Sequence, residues 1–228
     1  MVRRLAFSTP HPRRAGIRRG RRAPSRGKHA LASNPFSPDP AGKRLVLVGG
    51  GHAHVGVLRD LARDPVPGLD LVVVAREAMA PYSGMLPGLV AGIYTAGEIH
   101  IDVAALTARA GGRLIHDAAT AVDRHGKVVT TEGGAAIPYD LLSLDVGITP
   151  SFAGIAGADR HALPVKPVST FWPRCRALSG EAGADARMAV VGGGAAGFEL
   201  ALALKRRLGP PAAVTLVAGG RLLAAYPA

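Results

Sequence analysis

The sequence predicts a mixed α/β fold that contains two Rossmann-like units of parallel strand, helix and strand. The first observation is a short apolar strand, 45–48, which runs into the glycines 49–51 and then into a helical pattern. The second is a repeat of this arrangement late in the chain, where the strand 188–191 meets the glycines 192–194. The third is the largely apolar run 69–75, with β-branched residues at 72–74, which is typical of a strand buried on both faces of a parallel sheet.

The glycine runs are typical of loops that hold a dinucleotide. One glycine makes the tight turn after the strand, and the next lets the backbone approach the phosphates at the helix N-terminus. A single copy of this fingerprint would be weak evidence. Two copies in one chain indicate two nucleotides in one enzyme, a flavin and the nicotinamide that reduces it.

The other elements follow from the spacing of apolar and turn residues. Helices are expected over 54–63, from a cap at Asp102 to about Ala110, around 174–178 and over 195–208. Further strands are expected over 113–116, over 119–123 and 127–131 as a hairpin, over 137–146 as one strand, and over 213–217. Segments 81–88 and 148–165 are expected to be a loop and a crossover.

The positive charge is confined to one end of the chain. Residues 1–44 carry ten Arg and two Lys against one acid, which is +11 of the total +12. Because residues 1–42 are also rich in proline and glycine and poor in apolar side chains, we expect them to be disordered. Domains are then expected at 43–165, for the first nucleotide, and at 166–228, for the start of the second.

Three interpretations of the basic tail stay open. It is an extension without a role in the fold, an organelle transit peptide, or an arm that binds nucleic acid. Prolines interrupt the amphipathic helix of a transit peptide, and the tail offers few aromatic residues to stack on bases, so a nucleic-acid partner is disfavoured.

The cellular location is indicated by the scarcity of cysteine and the lack of long apolar segments in the sequence. Cys175 is the one cysteine, so no disulfide forms within the chain and an intracellular, cytoplasmic location is expected. No apolar run reaches the roughly 18 residues of a membrane-spanning helix, and no secretory signal is recognisable.

The second unit is expected to be incomplete, because a nucleotide-binding half needs about three strands and two helices. Only two strands and one helix are visible after residue 185. We therefore expect a truncated chain, in which Leu200, Leu204 and Leu208 of the second unit's helix are partly exposed.

The order of motifs resembles the pyridine nucleotide-disulfide oxidoreductase superfamily. The resemblance covers about residues 43–228 and rests on the two fingerprints, the Pro-Tyr-Ser-Gly-Met-Leu-Pro-Gly segment 81–88, the strand end before Gly147 and the segment 165–167. It is closest to the branch with type II NADH dehydrogenases. Within that branch, Gly-Gly-Gly-His-Ala-His and Tyr-Ser-Gly-Met-Leu-Pro-Gly resemble the flavoprotein module associated with selenide-water dikinase.

The resemblance implies FAD at the first fingerprint. The residues it places at FAD are Gly49, Gly50, Gly51, His52, Ala53, His54, Arg76, Glu77, Tyr82, Ser83, Gly84, Ala119 and Gly147. His54 replaces the usual third glycine and should crowd the helix against the strand. Glu77 takes the place of the usual ribose-binding acid, or Arg76 covers the adenine or a phosphate, or the two form a solvated turn.

The resemblance implies NADH or NADPH at the second fingerprint, through Gly192, Gly194, Ala195 and Gly197. Glu199 then points to the junction of flavin and nicotinamide, or simply complements the helix dipole. Lys166 lies near the flavin ring, or is an ordinary exposed lysine. No acid follows strand 213–217, and Arg221 would suit a 2′-phosphate.

The disulfide-reductase members of the superfamily carry a redox cysteine pair that this sequence lacks. The resemblance therefore implies an oxidoreductase that passes electrons from NAD(P)H through FAD to a quinone-like acceptor. It also allows peripheral contact with the inner face of the membrane through a later part of the protein. The alternatives are a non-catalytic FAD-binding fragment and a basic-tailed binding module.

Overall fold

The computed structural model of the protein describes residues 42–152, 154–182 and 185–225. The basic tail expected over residues 1–42 lies outside these ranges, apart from Gly42. Within the described ranges, no helix combines the length and the apolar character that crossing a bilayer requires.

A four-stranded parallel sheet forms the centre of the first unit. Its strands are β1 (Lys43–Val48), β2 (Leu69–Ala75), β5 (Arg113–His116) and β9 (Leu141–Leu144), in the order β5-β2-β1-β9. All neighbouring pairs are parallel. The carboxyl ends of the four strands therefore meet at one edge, where ligands bind in open α/β sheets.

Three smaller sheets complete the strand content of the described residues. An antiparallel pair joins β3 (Met79–Pro81) to β4 (His100–Asp102), and an antiparallel sheet has the order β6-β7-β8. Its strands are β6 (Ala119–Asp123), β7 (Val128–Thr131) and β8 (Ala136–Pro138). In the second unit, β10 (Arg187–Val191) pairs in parallel with β11 (Ala213–Val217).

The expectation of one strand over 137–146 is wrong, because the chain changes sheets inside it. β8 pairs with β7, whereas β9 pairs with β1. Between the two strands, the N–H of Tyr139 donates to the Lys127 carbonyl and the N–H of Asp140 donates to the Arg44 carbonyl. The backbone bonds thus turn from the hairpin sheet to the parallel sheet within two residues.

The helices are α1 (His52–Arg63), α2 (Leu86–Val90), α3 (Val103–Arg109), α4 (Ala158–His161), α5 (Val168–Glu181) and α6 (Ala195–Leu208). Asp102 caps α3 as expected, accepting a hydrogen bond from the N–H of Ala105 at 2.8 Å. The expected loop 81–88 instead contains a 3-10 helix, Ser83–Met85, and the start of α2. Pro87 fits there because a proline in the first helical turn removes no internal hydrogen bond.

Apolar residues pack on both faces of the parallel sheet. One cluster joins Leu47, Val73 and Leu58 of α1, and the opposite face packs Val46 and Val74 against the hairpin sheet. This is why β1 and β2 read as continuous apolar runs rather than as alternating ones.

A third apolar cluster joins the two units. The short helix α2 packs against α6, through Leu89 and Val90 on one side and Leu200 and Leu204 on the other. The expectation that the α6 leucines are partly exposed is wrong for Leu200 and Leu204, which are 7% and 8% exposed. It holds for Leu208, which is half-buried.

A buried cation lies at the amino-terminal edge of the parallel sheet. Arg44 is 2% exposed, and its Nε lies 2.5 Å from an Asp70 carboxylate oxygen. The other Asp70 oxygen pairs with Arg113 at 3.1 Å. This cluster ties β1, β2 and β5 together at the edge opposite the glycine loop.

Candidate functional site

The first glycine loop begins with a turn that only glycine fits. Gly49 has a φ of 99°, and its N–H donates to the Val74 carbonyl at 2.8 Å. A Cβ at Gly49 would overlap the backbone carbonyl of Asp145, which follows β9. The glycine is therefore required by both its backbone conformation and the close passage of a neighbouring strand.

Asp145 caps the helix that follows this loop. Its Oδ2 accepts hydrogen bonds from the N–H of Ala53 at 3.0 Å and from the N–H of His54 at 3.2 Å. Gly51, the N-cap residue of α1, has no side chain to do this, and a Cβ at Gly51 would overlap the Asp145 carboxylate. A carboxylate at this place also complements the positive end of the helix dipole.

Sequence reasoning missed the role of Asp145. It assigned Gly49 and Gly51 to the tight turn and to phosphate contact, whereas the structure shows that both also make room for Asp145. The available signal was an aspartate close to the end of the strand predicted over 137–146. Its contact with α1 follows from β9 lying beside β1, and the sequence does not reveal that order.

His54 is buried rather than crowded out of place. Its side chain is 2% exposed, with Nδ1 2.8 Å from the Gly49 carbonyl oxygen and Nε2 2.9 Å from Ser143 Oγ. Both ring nitrogens are thus engaged within the protein, which leaves neither free to ligate a metal.

The loop fits a dinucleotide pyrophosphate. The N–H groups of Gly50, Gly51 and His52 make no hydrogen bond within the described part of the chain. They precede the N–H groups that Asp145 occupies, and they lie at the positive end of α1. Backbone donors at a helix N-terminus are the ordinary site for a phosphate group.

Tyr82 lies against the start of α1. Its ring makes an edge-on contact with His52, with a centroid distance of 6.2 Å. Its N–H donates to the Ile99 carbonyl at 2.7 Å, and a Cβ at Gly84 would lie 3.0 Å from the tyrosine ring. The structure therefore places the segment of Tyr82, Ser83 and Gly84 next to the first glycine loop, so two segments that the sequence assigned to FAD lie side by side.

Arg76, Glu77 and Gly147 lie at the same edge of the parallel sheet. Arg76 is exposed and Glu77 is half-buried, directly after β2, whose Val74 carbonyl binds the Gly49 N–H. Gly147 is exposed after β9 and has a φ of 75°. These three residues border the loop without a hydrogen bond to it among the described residues.

Ala119 begins the hairpin sheet at a turn fixed by Asp117. The Asp117 carboxylate accepts hydrogen bonds from the N–H of Ala118 at 2.7 Å and from the N–H of Gly133 at 2.9 Å. The Thr131 hydroxyl and these two N–H groups hold the pKa of Asp117 below its usual range. The backbone at Ala119 is thus held in a defined place.

The backbone of the second glycine loop turns in the same way as that of the first, but the third glycine position of the fingerprint holds Gly197 where the first loop has His54. Gly192 has a φ of 131°, and its N–H donates to the Val217 carbonyl at 2.9 Å. A Cβ at Gly197 would overlap the Gly192 carbonyl oxygen. A Cβ at Gly194 would meet nothing within 4 Å, so this loop is open before Ala195 begins α6.

Within the described part of the chain, Glu199 and Lys166 are not hydrogen-bonded to the first glycine loop. Glu199 is exposed on α6, and Lys166 is half-buried two residues before α5. Among the described residues, neither makes a hydrogen bond or an ion pair with the first glycine loop. Their helices meet the first unit through α2.

The thiol of Cys175 is packed inside an apolar cluster. It is 5% exposed in the cluster around α2, and burial raises its pKa. Both features reduce the thiolate fraction on which cysteine reactivity depends.

Comparison with known proteins gives a family match and a set of structural neighbours. A family model described as pyridine nucleotide-disulphide oxidoreductase matches residues 43–227. No curated protein sequence matches the chain significantly.

The structural neighbours share the fold at low sequence identity. A chain of the covalent putidaredoxin reductase-putidaredoxin complex is 23% identical, with a TM-score of 0.66 over 82% of this chain and 45% of that one. NDH2 from Plasmodium falciparum in complex with NADH is 16% identical, with a TM-score of 0.67 over 81% and 43%. The water-forming NADH oxidase from Lactobacillus brevis bound to NADH is 22% identical, with a TM-score of 0.64 over 78% and 40%. The chain thus spans less than half the length of each of these proteins.

Proposed function

The chain belongs to the pyridine nucleotide-disulphide oxidoreductase family, and on that premise we propose that it binds FAD at the first glycine loop and NADH or NADPH at the second. The observation that carries the FAD assignment is the row of N–H groups at Gly50, Gly51 and His52, which have no hydrogen-bond partner among the described residues. Tyr82, Ser83 and Gly84 lie beside this row, where a flat ring attached to the pyrophosphate would pass. The bounding residues Arg76, Glu77, Ala119 and Gly147 complete the proposed FAD site.

The nicotinamide nucleotide is assigned to Gly192, Gly194, Ala195 and Gly197. The open space at Gly194 supports this assignment, because phosphates can approach the N-terminus of α6 directly. No acid follows β11 to bind a ribose 2′-hydroxyl, and Arg221 is exposed three residues after Ala218. Both NADH and NADPH are therefore proposed as donors.

The chemistry that FAD supplies when bound is acceptance of a hydride from the reduced nicotinamide and delivery of electrons to a quinone-like acceptor. The side chains of this protein are proposed to bind FAD and the nicotinamide nucleotide and to orient them. Glu199 is proposed for the nicotinamide side, because it lies on the helix that the second loop begins. Lys166 is proposed as the cation that stabilises negative charge on a reduced flavin.

Direct transfer to the acceptor is proposed because the chain offers no dithiol. Cys175 is the one cysteine of the sequence, and it is buried. The same argument supports the type II NADH dehydrogenase-like branch. The narrower resemblance to the flavoprotein module associated with selenide-water dikinase rests on the sequence motifs alone. A cytoplasmic location is proposed because the sequence has one cysteine, and peripheral contact at the inner face of the membrane is proposed from the family resemblance.

A second candidate function is FAD binding without turnover. It is favoured by the second unit, where only β10 and β11 form the sheet among the described residues. A reconstitution experiment separates the two candidates. The chain is incubated with excess FAD and freed of unbound flavin, and its absorbance is recorded. NADH or NADPH and a soluble quinone are then added, and nicotinamide absorbance is followed.

The oxidoreductase predicts bound flavin and nicotinamide oxidation that depends on the quinone. Glu199→Gln should slow this oxidation at least about tenfold, within the usual range for a group that acts at the reacting centre. Glu181→Gln, which changes an exposed glutamate on α5, is the matched control and should leave the rate unchanged. Flavin binding without oxidation would favour the second candidate, and absence of flavin binding would contradict both.

A further inference from the structure

The two glycine loops differ at the third glycine position of the fingerprint, and also at His52, where the second loop has Ala195. Three residues after Gly51, the first loop has His54. Three residues after Gly194, the second loop has Gly197. Each follows the turn at the same distance from the glycine of positive φ, Gly49 or Gly192. Comparing His54 with Gly197 therefore shows what the residue at this position does in each loop.

In the second loop, direct packing holds the helix against the turn. A Cβ at Gly197 would overlap the Gly192 carbonyl oxygen, so the helix lies close to that carbonyl only because the residue is glycine. This is the usual reason for a third glycine in such a fingerprint.

In the first loop, a side chain binds the equivalent carbonyl. His54 Nδ1 lies 2.8 Å from the Gly49 carbonyl oxygen, and Nε2 lies 2.9 Å from Ser143 Oγ on β9. The backbone N–H of the same residue donates to Asp145. His54 thus joins the turn after β1, the helix α1 and the neighbouring strand β9.

The partners fix the tautomer of the neutral ring. A carbonyl oxygen only accepts hydrogen bonds, so Nδ1 carries the proton and donates to Gly49. Nε2 then accepts from the Ser143 hydroxyl. A neutral histidine in this form satisfies every polar atom of a side chain that is 2% exposed.

We propose that His54 is a positioning residue for FAD, which holds the turn at Gly49 so that the N–H groups of Gly50, Gly51 and His52 point at the pyrophosphate. This inference rests on the proposed FAD site. It adds that the site is shaped before the cofactor arrives, by hydrogen bonds from β9 rather than by a third glycine. The bond from Nδ1 to the Gly49 carbonyl is the contact that acts on the turn.

The test compares FAD dissociation constants of apoprotein variants by flavin fluorescence or calorimetry, alongside their unfolding temperatures. His54→Leu removes both ring hydrogen bonds and should weaken FAD binding about tenfold or more. His54→Asn keeps an N–H near the position of Nδ1 and should recover part of that loss. Ser143→Ala removes only the partner of Nε2 and should weaken binding by less than His54→Leu.

A control separates positioning from general stability. Val129→Ala shortens a fully buried side chain on the opposite face of the parallel sheet from α1. It should lower the unfolding temperature of the apoprotein while the FAD dissociation constant stays within about twofold, since the shortened side chain removes no hydrogen bond from the turn at Gly49. Equal loss of affinity in Val129→Ala and His54→Leu would overturn the positioning role.

Two further readouts keep the proposal falsifiable if His54→Leu does not fold. Nitrogen chemical shifts of His54 in the wild-type apoprotein at pH 8 should show a protonated Nδ1 and a bare Nε2, and the opposite tautomer would overturn the assignment. Ser143→Ala gives the affinity measurement without changing His54. Wild-type FAD affinity in His54→Leu would overturn the inference and leave the proposed function standing. A wild-type protein that does not bind FAD would overturn both.

Discussion

Gly51 and Asp145 should show a strong energetic coupling in the protein without cofactor. The backbone of Gly51 has a φ of −67° and a ψ of 167°, which alanine adopts freely. The obstacle to alanine is the Asp145 carboxylate, which a Cβ at Gly51 would overlap. Gly51→Ala should therefore act by displacing that carboxylate from the N–H groups of Ala53 and His54.

The magnitude follows from what the displaced carboxylate does. Loss of a helix N-cap costs about 0.5–2 kcal/mol, and overpacking adds about 1–3 kcal/mol where neighbours cannot relax fully. We expect Gly51→Ala to lower the free energy of unfolding by about 2 kcal/mol and Asp145→Ala by about 1.5 kcal/mol. In the double variant the methyl group meets no carboxylate, so the total should stay near that of Asp145→Ala alone. The coupling energy is then about 2 kcal/mol, within the range for residues in contact.

The assay is urea unfolding of flavin-free protein, with the four variants of the cycle measured together. Gly56→Ala is the matched control, since Gly56 lies in α1 and a Cβ there meets nothing within 4 Å. It should stabilise the protein by about 0.5–1 kcal/mol, as alanine does in a helix interior. Additive losses for Gly51→Ala and Asp145→Ala would refute the reasoning, because they would mean that the methyl group does not meet the carboxylate.

Two further predictions concern charges remote from the glycine loops. The Asp117 pKa is lowered in the folded protein, so its carboxylate contributes stability above the unfolded pKa of about 3.9 and loses it as pH falls through the folded value. The unfolding temperature of Asp117→Asn should thus be lower than wild type at pH 6, and the gap should narrow as the pH falls below about 3.9. A gap that stays constant would contradict this. Arg44→Met should destabilise the protein by about 3 kcal/mol in urea unfolding, since it leaves the Asp70 carboxylate without its buried partner. The control Arg63→Met removes an exposed pair with Asp60 and should change stability by less than about 0.5 kcal/mol, and equal losses would be inconsistent with the buried pair.

Local patterns predicted most of the fold. The runs 69–75 and 195–208 were predicted with their observed bounds, because a buried β-branched strand and an apolar helix between glycines each carry their own signal. The change of sheet near Tyr139 was not predictable. It depends on which strand β9 joins, and no feature of residues 137–146 specifies that partner.

The candidate site was predictable as two loops but not as a set of contacts. The glycines identify where a backbone must turn or be approached closely, whatever approaches it. Asp145 and Ser143 act on α1 only because β9 is the neighbour of β1, about 90 residues away in sequence. His54 was visible as a departure from the glycine pattern, yet its hydrogen bonds required the same strand order.

The short helix α2 gives the two units a common alignment. The parallel sheet of the first unit and the β10-β11 sheet share no strand among the described residues, so backbone pairing does not set the angle between them. Leu89 and Val90 pack against Leu200 and Leu204, so the volumes of these side chains contribute to how the two sheets are arranged. Exchange of one aliphatic residue for another in α2 would therefore shift the two proposed nucleotide sites relative to each other, while both glycine loops keep their sequences.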